Sequence, residues 1–334
     1  MPPPSREHPE HPEAPPARPW AAAWQDALYG TDGTDGTDGF YRSPAGPAGH
    51  FSTATHGTPG RVLARALLAY AAQLGCTAVV DLGAGRGELL AHLRALDADV
   101  SLLGVDVVDR PADLPADVGW VVSPGGADLP ESLRPRDALV VAHEWLDVVP
   151  LTVGEVDAEG VARLVLVDSV TGKEYLGKAL STTDLEWCQR FWPLAGLDPG
   201  DRVEVGVTRD AAWSALLDRM EGGVALAVDY GHRLGERPRE GTLTAYRQGV
   251  LVTPVPDGSC DLTAHVAVDS LRHDEMLTQR EALRRLGVRA GTPDHALART
   301  DPPRYLAGLA ESGAAGALLD RSGYGGFWWV VARP

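Results

Sequence analysis

The stretch AVVDLGAGRGELL, Ala78–Leu90, constrains the fold more than any other part of the chain. An apolar strand pattern runs into Gly83, Gly85 and Gly87, and a helical pattern leaves them. Glycines at alternate positions let a backbone turn tightly and approach a ligand where a Cβ would intrude. A strand, a glycine turn and a helix in that order open an α/β sheet whose ligands sit at the carboxyl ends of its strands.

The rest of the chain repeats this grammar. Apolar runs recur at SLLGVDV, VGWVV, DALVVA and GVALAVDYG, separated by helical segments, and GFWWVVAR supplies a last strand. The alternation predicts an α/β fold built on a mostly parallel, doubly wound sheet covered on both faces. TPGRVLARALLAYAAQLG predicts a helix with Thr58 as cap, Pro59 at the first helical position and Gly75 as stop. Leu63, Leu67, Tyr70, Ala71 and Leu74 fall on one of its faces. After the fourth strand, residues 151–180 alternate and turn like an inserted antiparallel hairpin. Residues 1–48 read as a disordered leader, proline-rich and then TDGTDGTDG, and residues 49–334 as one domain. Asp32, Asp35 and Asp38 of the repeat lack the ligand spacing and closing glutamate of a calcium loop.

A formal net charge of −16 over 334 residues argues against a broad footprint for nucleic acid or an anionic membrane. Cys76, Cys188 and Cys260 are scattered and form no CxxC pair, so neither a disulfide framework nor a zinc knuckle is expected. No apolar run reaches the ~18 residues of a membrane span, and the N-terminus has no signal-peptide core. A soluble, cytoplasmic protein is the expectation.

The dinucleotide fingerprint would place a third glycine where Glu88 stands. Asp81 and Glu88 would repel a diphosphate but suit a ligand carrying an ammonium and a sulfonium, which favours S-adenosyl-L-methionine over NAD. Asp106, ending the second strand, can accept hydrogen bonds from both ribose hydroxyls. In VVAHEWLDVVPL, His143, Glu144 and Asp147 follow the fourth strand, where a substrate would meet the methyl donor. Acids there can hold a cationic or hydrogen-bonding nucleophile; the plainer reading makes one a helix cap and leaves the other solvated. HEWLD lacks the second histidine of HExxH and follows a strand, so no metal site is expected.

GHFSTATHG, VVDLGAGRGEL, AHEWLDVVPL, ALAVDYG, GTLTAYR, DLTAHVAVDSL and LTQREALRRLGV follow in order, within a resemblance that runs from about Gly49 to Val330. Together the chain resembles the MidA-type S-adenosylmethionine-dependent methyltransferases, relatives of a mitochondrial complex I assembly factor that methylates protein arginine. The resemblance implies a Rossmann-like class I methyltransferase fold. It implies Gly83, Gly85 and Gly87 on the donor, Asp106 on its ribose, and Glu144 and Asp147 at the reaction site. It also brings forward Phe51 and Thr53 on the cofactor side, together with Asp261, Thr263 and His265. His50, Thr55 with His56, and His143 depart from the family pattern, in segments expected to face the acceptor.

The implied chemistry is in-line methyl transfer, for which the enzyme supplies alignment and exclusion of water. An arginine acceptor would use Glu144 and Asp147 to orient its guanidinium and take a proton. A hydroxyl acceptor would need an earlier base, for which His143 or His265 is the candidate. The alternatives are a small-molecule methyltransferase and a non-catalytic assembly factor retaining the fold. GFWWVVARP reads either as a contact between two copies or, more simply, as a closing core strand.

Overall fold

The computed structural model describes residues 17–31, 38–43, 53–96 and 99–334. Its centre is a seven-stranded sheet in the spatial order Gly119–Val122, Ser101–Asp106, Ala78–Leu82, Arg136–His143, Glu221–Asp229, Trp328–Ala332 and Glu275–Thr278. The first five strands are parallel, and Trp328–Ala332 runs antiparallel between its two neighbours. Successive side chains alternate between faces, so Val79 and Val80 enter opposite cores. One face is covered by Gly57–Leu74 and Pro302–Leu319, through Leu63, Leu67 and Leu318, and the other by Val207–Leu217, through Trp213 and Leu216. Burial on both faces explains why the strands read as continuous apolar runs.

The chain passes outward from Ala78–Leu82 through two strands to one edge, then crosses back to add Arg136–His143 on the other side of Ala78–Leu82. That reversal leaves a crevice between the carboxyl ends of the two central strands. Gly57–Leu74 has His56 rather than Thr58 at its N-cap and ends, as expected, at Gly75 with a left-handed φ of 70°.

Two expectations need correction. Within the segment read as a leader, Trp20–Tyr29 is a helix whose Trp20, Trp24 and Leu28 are buried, and Arg18–Pro19 pairs with Ala162–Val167. Tryptophan and leucine four residues apart give this helix an apolar stripe, which the flanking proline and TDG runs obscure. Phe40–Arg42 forms a short 3-10 helix, while residues 1–16, 32–37 (with Asp32 and Asp35) and 44–48 lie outside the described residues. The insertion is also more than a hairpin. Thr152–Val156 and Ala162–Val167 pair as one, but Glu174–Ala179, Arg202–Val205 and Arg18–Pro19 complete a five-stranded antiparallel sheet. A lone hairpin is marginal in water, and the added strands let it bury a core around Trp187, Trp192 and Val203.

Trp328–Ala332 is paired on both sides and Trp329 is buried, its Nε1 donating to Gln279 Oε1 at 3.1 Å. The aromatic run therefore serves the core. No helix among the described residues is long and apolar enough to cross a membrane.

Candidate functional site

A cavity of about 370 Å³ fills the crevice. On one side lies the glycine loop. Gly83, Gly85 and Gly87 have φ values of 78°, 57° and 78°, left-handed conformations that favour glycine. The loop's glycines serve different ends. A Cβ on Gly85 would meet only Glu88 Oε2, at 3.5 Å, on the cavity wall, whereas one on Gly87 would strike Leu114 Cδ1 at 2.8 Å. Gly83 and Gly85 thus line the cavity, and Gly87 is required by packing behind it.

Asp106 ties this loop to its own strand. Gly85 N–H donates to its Oδ2 at 2.8 Å, and Val107 and Val108 N–H donate to its Oδ1 at 2.7 and 3.3 Å. Two carboxylate oxygens offer about four acceptor positions, so with three taken about one remains. Burial pushes its pKa up to about 6. Asp81, 3% exposed on the cavity wall, is pushed to about 8, first by burial and then by the charges of Asp106 and Glu88. Thr53 also lines the cavity, its Oγ1 2.7 Å from Thr55 Oγ1 and 3.0 Å from His56 Nδ1. Phe51 lies outside the described residues.

Opposite the loop stand the residues that follow Arg136–His143. Glu144 has a φ of 51°, uncommon for a residue with a side chain and costing on the order of 1–3 kcal/mol. Its N–H is held by Val228 C=O at 2.9 Å. His143 is buried, with Nδ1 3.3 Å from Glu144 Oε1 and neither ring nitrogen in hydrogen-bond geometry. Asp147 is 3% exposed. Its Oδ2 accepts from Tyr230 Oη and, at 2.7 Å, from Thr263 Oγ1, while its Oδ1 is buried without a partner. Burial, then Glu144, raise its pKa.

The loop carrying these acids is held from beneath. Asp229 Oδ2 accepts from Leu146 N–H at 3.1 Å and Asp147 N–H at 3.2 Å. The buried Arg209 guanidinium donates to the carbonyls of Asp147, Val149, Ala264 and His265. Ala264 N–H in turn donates to Asp147 C=O at 3.1 Å. That bond pulls the chain out of strand alternation after Thr263. Asp261 and Thr263 face the cavity, but His265 is exposed beyond it, its ring 5.2 Å from that of Tyr230. His265 thus lies off the wall that carries His143, Glu144 and Asp147.

Several wall residues were not named from the sequence as site residues. Tyr230 follows the strand Glu221–Asp229 and bonds Asp147, but it reads there as a strand-end aromatic. Tyr29 and Tyr41 come from the segment read as a leader, and Tyr41 Oη donates to Asp261 Oδ1 at 2.6 Å. Burial, offset by that bond and reinforced by Asp147, pushes Asp261 to about 8. His56 faces the glycine loop, with Nε2 3.5 Å from Glu88 Oε1. No local pattern marks contacts made over such separations.

A family described as "Putative S-adenosyl-L-methionine-dependent methyltransferase" matches residues 101–288, more than half of the 334. No curated protein matches the chain. A COG1565 superfamily protein from Burkholderia thailandensis, solved with S-adenosyl-homocysteine bound, is 23% identical, with a TM-score of 0.68 over 94% of this chain and 87% of its own. A native structure of a COG1565 superfamily protein from the same organism is 23% identical, with a TM-score of 0.69 over 95% and 87%. These likenesses show the α/β fold.

Proposed function

The chain belongs to this family of S-adenosyl-L-methionine-dependent methyltransferases, and on that premise we propose that it methylates a cationic nitrogen, the guanidinium of a protein arginine. S-adenosyl-L-methionine is its cofactor, and when bound it supplies an electrophilic methyl on a sulfonium. The cavity residues fit it. Gly85 leaves a space that a Cβ would fill, Asp106 keeps an acceptor position for a ribose hydroxyl, and Glu88, with Asp81 ionising as a cation approaches, suits sulfonium and ammonium. Gly83, Thr53 and Asp81 complete this proposed cofactor side, in a Rossmann-like class I arrangement.

The observation that carries the acceptor is the second oxygen of Asp147. A buried carboxylate oxygen without a donor is costly, and a guanidinium N–H entering beside Glu144 would satisfy it with a charge-assisted bond. Tyr230 and Thr263 fix the carboxylate through Oδ2, leaving Oδ1 to orient the acceptor. Asp147 Oδ1 or Glu144 then accepts the proton that nitrogen loses as its new bond forms, a transfer helped by the raised proton affinity of Asp147. Tyr29, Tyr41 and Trp145 line the cavity beside these groups. A small-molecule hydroxyl acceptor is the second reading, favoured by His143 on the cavity wall, whose ring nitrogens make no hydrogen bond although Nδ1 lies 3.3 Å from Glu144 Oε1. His265, outside the wall, would take no part.

The test incubates the protein with methyl-labelled S-adenosylmethionine and proteome-derived peptides, and locates label by mass spectrometry. Label on arginine, lost in Asp147→Asn while donor binding persists, supports the proposal. Label only on hydroxyl-bearing small molecules supports the second reading. Donor binding with no transfer to any acceptor would point to a non-catalytic role.

A further inference from the structure

The cavity wall includes Tyr246 and Gly249, which belong to a hairpin outside the central sheet. Its strands Thr244–Arg247 and Val250–Val252 are joined by Gln248 and Gly249 at φ values of 52° and 74°, the conformation of a tight two-residue turn. Thr244–Arg247 also pairs with Asp261–Thr263, so the order runs from Asp261 and Thr263 in the cavity to Val250–Val252 at the edge. Among the described residues no strand covers that outer edge.

The edge is apolar and exposed: Val250 and Leu251 are each 63% exposed, and Tyr246 opposite Leu251 is 37% exposed. Folded proteins ordinarily blunt such an edge with charge, proline or a bulge, and this one carries none of these within Val250–Val252. Arg247 lies opposite Val250 beside the turn. By the alternation of an antiparallel ladder, the next pair, Tyr246 and Leu251, turns its backbone groups outward. Leu251 thus offers an N–H and a C=O to an incoming strand, one residue pair from a cavity-wall glycine.

We propose that Val250–Val252 is the docking edge for the methyl acceptor, an extended stretch of polypeptide that adds as a further strand and delivers a cationic side chain into the cavity. The inference rests on the acceptor reading above. The occupant follows from two features that a small molecule would not need: a backbone edge that no described strand pairs, which another backbone matches, and a hydrophobic strip leading to a cavity walled by Asp147, Glu144 and Asp261. Main-chain bonds would give affinity with little sequence demand, and the acidic wall would select the cation.

The test compares methyl transfer to a short peptide library with one central arginine against transfer to arginine amide, using the full chain. Leu251→Pro removes the outward N–H, and Val250→Lys places a repelling charge on the strip without touching the cavity. Both should keep donor affinity and turnover of arginine amide, yet lose roughly tenfold in kcat/KM toward the peptides, the size expected of a lost strand contact. Protection of the Leu251 amide from hydrogen exchange by saturating peptide is the independent readout. Peptides and arginine amide used equally well, with both variants unaffected and no protection at Leu251, would overturn the docking edge while leaving the acceptor reading standing. Transfer to neither, with the donor bound, would overturn the acceptor reading and the docking edge together.

Discussion

Gly85 and Gly87 sit two residues apart in one loop, yet they answer to different constraints. A side chain on Gly85 would enter the cavity, while one on Gly87 would strike Leu114. Gly85→Val should therefore weaken S-adenosylmethionine by roughly a hundredfold or more through strain and occlusion. Gly87→Ala should act on the fold, costing about 1–3 kcal/mol of stability, with donor affinity in the surviving protein little changed. Calorimetry and denaturant melts on the two variants separate these outcomes. Asp147→Asn and Glu144→Gln should retain donor binding and lose about 10²–10⁴-fold in transfer; loss of the donor in either would show that the two sides of the cavity are not separable.

The acids also make a pH prediction. Asp81 and Asp261 are raised from an ordinary 3.8 to about 8 in the folded chain. The unfolded chain releases those protons first, so their contribution to stability is full below about 4 and is lost as pH rises through 8. The ligand-free protein should melt at progressively lower temperature between those limits. S-adenosylmethionine, which brings positive charge to Asp81, should restore more stability at the upper end than at the lower. A melting temperature independent of pH would contradict this picture of the wall. At this scale, residues at strand ends were legible: Asp81, Gly83, Gly85, Asp106, Glu144 and Asp147 all fall on the cavity wall. His265, brought forward by the resemblance alone, lies exposed off the cavity wall, beyond the strand that ends at Thr263.

Among the elements, the helix Trp20–Tyr29 shows what local pattern could not reveal. Its Trp24 is buried against Arg209, whose guanidinium lies 5.8 Å from the indole and grips the carbonyls around Asp147. Trp24→Ala should cost about 3–5 kcal/mol and disturb the acceptor side with the core. Tyr41→Phe should be milder, removing only the bond to Asp261. Stability and kcat measured on both variants would test whether this segment belongs to the catalytic unit, as we propose. Parallel strands were readable because burial on both faces leaves unbroken apolar runs. Glu275–Thr278 was not, since only partial burial shapes its sequence, and the five-stranded insertion depends on pairings with residues far along the chain.

For the whole molecule, the strand order decides where chemistry can occur. The reversal between Ala78–Leu82 and Arg136–His143 brings the glycine loop, Asp106, Glu144 and Asp147 around one crevice although they are scattered along the sequence. The family match begins at residue 101 and so leaves the glycine loop to be tested on its own geometry. The measurement that bears most directly on the account is calorimetric titration of the full chain with S-adenosylmethionine, with NAD as control. Saturable binding of S-adenosylmethionine, abolished by Gly85→Val and weakened by Asp106→Ala, with no binding of NAD, is the expected result. Binding of NAD alone, or of S-adenosylmethionine undiminished in Gly85→Val, would contradict it.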